Sequence, residues 1–150
     1  ISVNTTSVLR IIKHFYGSIH SRKPFYTAVM VSIAGFMSSP FFSVYGASKA
    51  ALKIFIESVN VELKKSGTDN RILNVSPGRI NGTNFYNGAN NLSLLYPLAD
   101  EIIYHMNNRN DLFIPEYEEV FKKVLERYHR DFRAEGEHSY EYKQEQLKRK

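Results

Sequence analysis

Thr27-Ala28-Val29-Met30-Val31-Ser32-Ile33 is the stretch that decides the fold. It is an uncharged, mostly apolar run closed by Ala34-Gly35. It is too short for a core helix and suits a strand buried on both faces, as in a parallel sheet. After a loop over residues 36–43 that holds Pro40, the spacing predicts a long helix from about Ser43 to Lys65. Ala47, Ala50, Ala51, Leu52, Phe55, Val59 and Leu63 would face inward, and Gly67 is a natural stop. Residues 71–76, Arg-Ile-Leu-Asn-Val-Ser, read as a second buried strand, broken at its carboxyl end by Pro77-Gly78.

The flanks continue the pattern. Residues 1–18 carry an apolar stripe of Val3, Val8, Leu9, Ile11, Ile12 and Phe15 at helical spacing. Residues 81–94, rich in Asn and Gly, read as a loop. A helix over 97–108, a short strand at 112–114 and a helix over 116–133 opened by Pro115 follow. The last has Val120, Val124, Leu125 and Tyr128 as its apolar side. Residues 1–133 thus form one domain, and 134–150 are a charged tail expected to fray or to be ordered by a partner. Alternating strands and helices imply an α/β domain with a parallel sheet and right-handed crossovers. Ligands of such sheets bind outside the carboxyl ends of the strands, here near Ser32, Pro77-Gly78 and Ile114-Pro115.

Composition narrows the classes. A hydrophobic fraction of 43% supports a packed core. The absence of cysteine excludes disulfides and thiolate chemistry. The net charge of +5 comes from basic residues scattered among acidic ones, which is no nucleic-acid footprint. No apolar run reaches the ~18–20 residues of a membrane span. A cytoplasmic protein with no nucleic-acid or membrane partner is the expectation. His14, His20, His105, His129 and His138 lack metal-ligand spacing, so no metal site is expected.

Chemistry concentrates at Tyr45 and Lys49, four residues apart at a helix start and therefore on one face. An ammonium close to a phenol favours the phenolate, which makes a tyrosine a usable acid and base near neutrality. Ser32 stands at the end of the preceding strand, where its hydroxyl could bond the oxygen that Tyr45 protonates. These residues suit proton transfer to or from an alcohol or carbonyl.

Val31-Ser32-Ile33-Ala34-Gly35, Pro40, Tyr45-Gly46-Ala47-Ser48-Lys49-Ala50-Ala51-Leu52 and Asn74-Val75-Ser76-Pro77-Gly78-Arg79-Ile80 together resemble the short-chain dehydrogenase/reductase family. Val3-Asn4, Leu98-Ala99-Asp100-Glu101-Ile102 and Phe113-Ile114-Pro115 extend the resemblance over about residues 1–115. It implies a Rossmann-like, doubly wound sheet and an NAD- or NADP-dependent oxidoreductase. Tyr45 would be the acid/base and would also touch the bound cofactor, with Lys49 favouring its phenolate and holding the nicotinamide ribose. Ser32 would polarise the substrate oxygen, and Asn4 would hold a water in a relay through Lys49. Pro77, Gly78, Ile80 and Thr83 would meet the nicotinamide and its carboxamide. Thr83 lies one residue beyond the usual threonine position, which is Gly82 here. Arg79, Asn84, Phe85 and Tyr86 would cover the substrate. The family also implies a homodimer or homotetramer through helices 1–18 and 43–65.

A dinucleotide fold needs a glycine-rich turn feeding a helix amino terminus, and no such turn is found in these 150 residues. The expectation is the C-terminal part of a truncated domain, with a βαβαβ half before Ile1. Two other readings stay open. One is a non-catalytic remnant acting as an interaction module; the other is a nucleotide-sugar epimerase or dehydratase built on the same pair.

Overall fold

The computed structural model describes residues 1–84 and 90–148. A wide π-helical turn, Ser2–Thr6, leads into α1, Ser7–Ile19. β1 (Thr27–Met30), α2 (Ser43–Ser66) and β2 (Ile72–Val75) follow. Then come α3 (Tyr96–Asn107), β3 (Leu112–Phe113), α4 (Lys122–Arg130) and α5 (Phe132–Lys148). The strands form one parallel sheet in the order β1-β2-β3. Thr27 pairs with Ile72 and Met30 with Val75, while Asn74 pairs with Leu112. The α/β alternation and the parallel sheet expected from the sequence are present.

The main core joins α1 and α2 to one face of the sheet. Ile12, Ile19, Leu52, Ile56, Val59 and Leu63 pack with Val29, Val31 and Ile72. Each buried side chain of this size contributes about 1.5–3 kcal/mol relative to exposure. Two asparagines tie the elements together. Asn60 exchanges two 2.9 Å hydrogen bonds with the backbone of Ile72, fixing α2 to the start of β2. The Asn70 amide donates to the carbonyls of Ile19, Ser21 and Lys23 and accepts from Phe25 N–H, which orders the turn from α1 into β1. Gly67 ends α2 in the left-handed region (φ 79°), as its position suggested.

Several expectations are corrected. The first strand is shorter than residues 27–33, and as an edge strand it leaves Ala28 and Met30 exposed; only β2 is buried on both faces. On α2, Ala47 and Ala51 face outward while Gly46, Ser48, Ile56 and Asn60 face inward. Alanine is small enough for either face and carries little directional signal. On α1 the buried face runs through Ile12 and Ile19, and Val3, Ile11 and Phe15 are exposed.

The largest correction is at the carboxyl end. Residues expected as a frayed tail form α5, which packs back on α4 and on the loop after β1. Asp131 Oδ1 accepts the N–H groups of Arg133 and Ala134, capping the helix start. Glu135 accepts two hydrogen bonds from Arg127, from Nε at 2.7 Å and from an Nη at 3.0 Å. Tyr140 stacks on Phe41, with ring centroids 4.8 Å apart.

The Arg127 hydrogen bond holds the Glu135 carboxyl below its ordinary range, against a smaller opposing effect of burial. A depressed carboxylate contributes stability above its unfolded pKa, and that stability is lost as pH falls through the depressed folded value. Acidification below the ordinary glutamate range should therefore release α5. Arg127 is about half exposed, so water screens the pair and Glu135→Gln should cost only about 1 kcal/mol. Amide hydrogen exchange along α5 checks this: protection should fall in acid in the native chain and be less pH-dependent in the variant. Unchanged α5 protection in acid would contradict it.

Candidate active site

Pairing between the strands continues past the ends of β1 and β2. Val31 N–H donates to the Val75 carbonyl at 2.7 Å, and Ile33 N–H to the Pro77 carbonyl at 3.0 Å. This zipper fixes Ser32 beside Pro77-Gly78. Ser32 is buried and caps the short 3-10 turn Ile33–Gly35, its Oγ accepting from Ala34 N–H at 3.2 Å. Extra atoms at Gly35 or Gly46 would meet backbone. A Cβ at Gly35 would fall 2.8 Å from the Lys49 carbonyl carbon, and one at Gly46 would fall 3.1 Å from the Ala34 carbonyl oxygen. These two glycines let the start of α2 sit directly on the turn that holds Ser32.

Tyr45 lies in the first turn of α2 and is half-buried. Lys49 Nζ is 5.6 Å from the centroid of the Tyr45 ring and donates to the Met30 carbonyl at 2.8 Å. Burial pushes the Lys49 ammonium below the ordinary lysine range. Lys49 is thus anchored by the end of β1 on one side and faces the tyrosine ring on the other. Asn4 is close by, but its amide donates to Ser48 Oγ at 3.3 Å, and Ser48 Oγ donates to the Tyr45 carbonyl at 2.7 Å. Asn4 therefore braces the helix turn that carries Tyr45 and Lys49.

A cavity of about 520 Å³ opens beside these residues. Ser32, Tyr45 and Gly78 line it together, with Arg79 at the edge. Lys49, Asn4, Pro77, Ile80 and Thr83 are not among its lining residues. Pro77 is buried behind it, and the Thr83 hydroxyl donates to the Ile80 carbonyl at 2.9 Å. Phe85 and Tyr86 lie outside the described residues. Phe42, from the loop over 36–43, joins the lining with residues that the sequence did not single out for the site: Phe121, Glu135, Tyr142 and Lys143 among them. The Asp131 cap and the Arg127–Glu135 pair are the sequence signals that could have revealed them.

The residues expected at the nicotinamide end of a dinucleotide fit it only in part. At Gly78 the space beside the bare Cα is taken by Phe121, whose ring tip would come 2.5 Å from a Cβ built there. Ser32 and Tyr45 open onto the same space. The pyrophosphate end has no glycine-rich turn to receive it in this sequence.

Comparisons with known proteins bear on the family and the fold. A family model described as short chain dehydrogenase matches residues 1–91. The uncharacterized oxidoreductase TDA5 of Saccharomyces cerevisiae is 38% identical over 80 residues, covering 53% of this chain and 24% of that protein. Among solved structures, the apo form of LigD from Sphingobium sp. strain SYK-6 superposes with a TM-score of 0.67 at 24% identity, over 85% of this chain and 49% of that one. A short-chain dehydrogenase from Sphingobium yanoikuyae in complex with NADPH gives 0.55 at 21%, over 89% and 56%. The chain therefore spans about a quarter of its curated relative and about half of these structural neighbours.

Proposed function

The chain belongs to the short-chain dehydrogenase family, and from that premise we propose that it carries the proton-transfer site of an NAD(P)-dependent alcohol–carbonyl oxidoreductase. The observation that carries the reading is the shared cavity of Ser32 and Tyr45, with Lys49 Nζ 5.6 Å from the tyrosine ring.

In the reducing direction, Ser32 Oγ donates to the substrate carbonyl oxygen and polarises it. Tyr45 delivers its phenolic proton to that oxygen as negative charge develops there. Lys49 steadies the resulting phenolate, and solvent returns the proton. In the oxidising direction the same groups take the proton from the alcohol. The nicotinamide dinucleotide, when bound, supplies or accepts the hydride at the carbinol carbon. Lys49 would hold its ribose hydroxyls, and Pro77, Gly78, Ile80 and Thr83 its nicotinamide end. Asn4 contributes by holding the Tyr45–Lys49 turn in place.

The proposed assembly is a homodimer or homotetramer across α1 and α2. Supporting it, Val3, Ile11 and Phe15 at the first helix and Val44, Ile54 and Val61 on α2 are exposed. Among the described residues no helix is long and apolar enough to cross a membrane.

The test is a panel of aliphatic and aromatic ketones and aldehydes, offered with NADH and with NADPH while nicotinamide absorbance is followed. Carbonyl-dependent oxidation of one of the two cofactors is expected of a protein that joins these residues to a glycine-rich dinucleotide-binding turn. A folded protein that binds neither cofactor and reduces none of the panel would remove the oxidoreductase reading and favour an interaction module.

A further inference from the structure

The cavity beside Ser32 and Tyr45 is closed on its far side by α5, and its charges do not balance. Among the described residues four cationic or basic side chains line it, Arg79, Arg127, His138 and Lys143, against one carboxylate, Glu135. Both Glu135 oxygens are held by Arg127, so that pair neutralises itself. Lys143 is half-buried, and among the described residues its ammonium donates to neutral oxygens, Ser39 Oγ at 2.9 Å and the Pro40 carbonyl at 3.2 Å, beside the face of Phe42 at 5.5 Å. Burial pushes it below the ordinary lysine range. An ammonium so placed gains from an anion that shares its desolvated space. The rest of the lining is mixed: Ile33, Met37, Val120, Phe121 and Val124 are apolar, and Ser38, Ser39, Ser139 and Tyr142 carry hydroxyls. The five apolar side chains favour a single carboxylate on an apolar body over a multiply charged phosphate.

We propose that α5 is the specificity wall of the substrate pocket, and that Lys143 selects substrates bearing a carboxylate at the end of an apolar body whose alcohol or carbonyl reaches Ser32 and Tyr45. This rests on the oxidoreductase reading for the meaning of the Ser32–Tyr45 end. Lys143 is a substrate-binding residue and takes no part in the chemical step, and Arg79 adds positive charge at the rim.

The test compares octanoate with octan-1-ol by calorimetric titration of the full chain, its Lys143→Met variant and its Lys143→Arg variant. Octanoate should bind the native chain about tenfold more tightly than the alcohol, the range expected of one charge-assisted hydrogen bond. Lys143→Met should abolish that preference while leaving the alcohol's affinity unchanged, and Lys143→Arg should retain most of it. Equal affinity for acid and alcohol in the native chain, binding of neither, or a preference that survives Lys143→Met would each overturn the proposal. Circular dichroism of both variants separates loss of the ammonium from loss of α5. The readout is binding, so the two ideas can fail separately. Carboxylate selection without any carbonyl reduction sinks the oxidoreductase reading alone. Carbonyl reduction with no preference for the acid sinks the pocket's selectivity alone.

Discussion

Gly35→Ala is expected to destabilise the chain by about 3 kcal/mol, the upper part of the range for forcing extra atoms into a packed interior. The added Cβ would stand 2.8 Å from the Lys49 carbonyl carbon, 2.9 Å from its oxygen and 3.0 Å from Ala50 nitrogen. All three are backbone atoms inside α2, so no rotamer change relieves the contact. The helix must back away from the turn that holds Ser32. Such a loss is a large share of the ~5–15 kcal/mol typical of a folded domain. Gly17→Ala is the internal control: nothing lies within 4 Å of its would-be Cβ in α1, and alanine there should stabilise by roughly 0.5–1 kcal/mol. Urea unfolding of the two variants measures both. A Gly35→Ala chain as stable as the native one would contradict the close approach of turn and helix on which the site geometry depends.

The sequence made the centre of the fold legible because its signals there are local. The apolar runs at 27–33 and 71–76, the breaks at Ala34-Gly35 and Pro77-Gly78, and the stop at Gly67 each act within a few residues. The spacing of Ser32, Tyr45 and Lys49 was readable for the same reason, since a strand end and a helix start bring them together. What escaped was set by contacts far apart in the chain. Whether Ala47 or Ile56 faced the core depended on how α2 lay on the sheet. Exposure of Ala28 and Met30 follows from the place of β1 at the sheet edge, which its own composition does not record. The identity of α5 was hidden by its polarity. It docks through the Arg127–Glu135 pair, the Phe41–Tyr140 stack and the Lys143 bonds to the loop after β1. A hydrophobic-periodicity reading has no purchase on such contacts. Consequently the Ser32–Tyr45 side of the cavity was visible in the sequence and the α5 side was not.

Tyr45→Phe is expected to have the largest effect of all. The substitution removes one oxygen from a half-buried ring and leaves α2, Gly35 and the Lys49–Met30 hydrogen bond as they are, so the fold should persist. Loss of a positioned proton donor lowers turnover by about a hundred- to ten-thousand-fold. The loss should appear in kcat and kcat/KM together, because the interaction is made only as the proton moves. Cofactor binding should be retained, since Lys49, Pro77, Gly78, Ile80 and Thr83, assigned to the ribose and nicotinamide, are untouched. The decisive measurement is therefore a paired one, on native protein and Tyr45→Phe, with the best carbonyl of the panel and the preferred cofactor. Retained cofactor binding with turnover reduced at least about a hundredfold is the predicted result. A phenylalanine variant that turns over at the native rate would show that the proton comes from elsewhere.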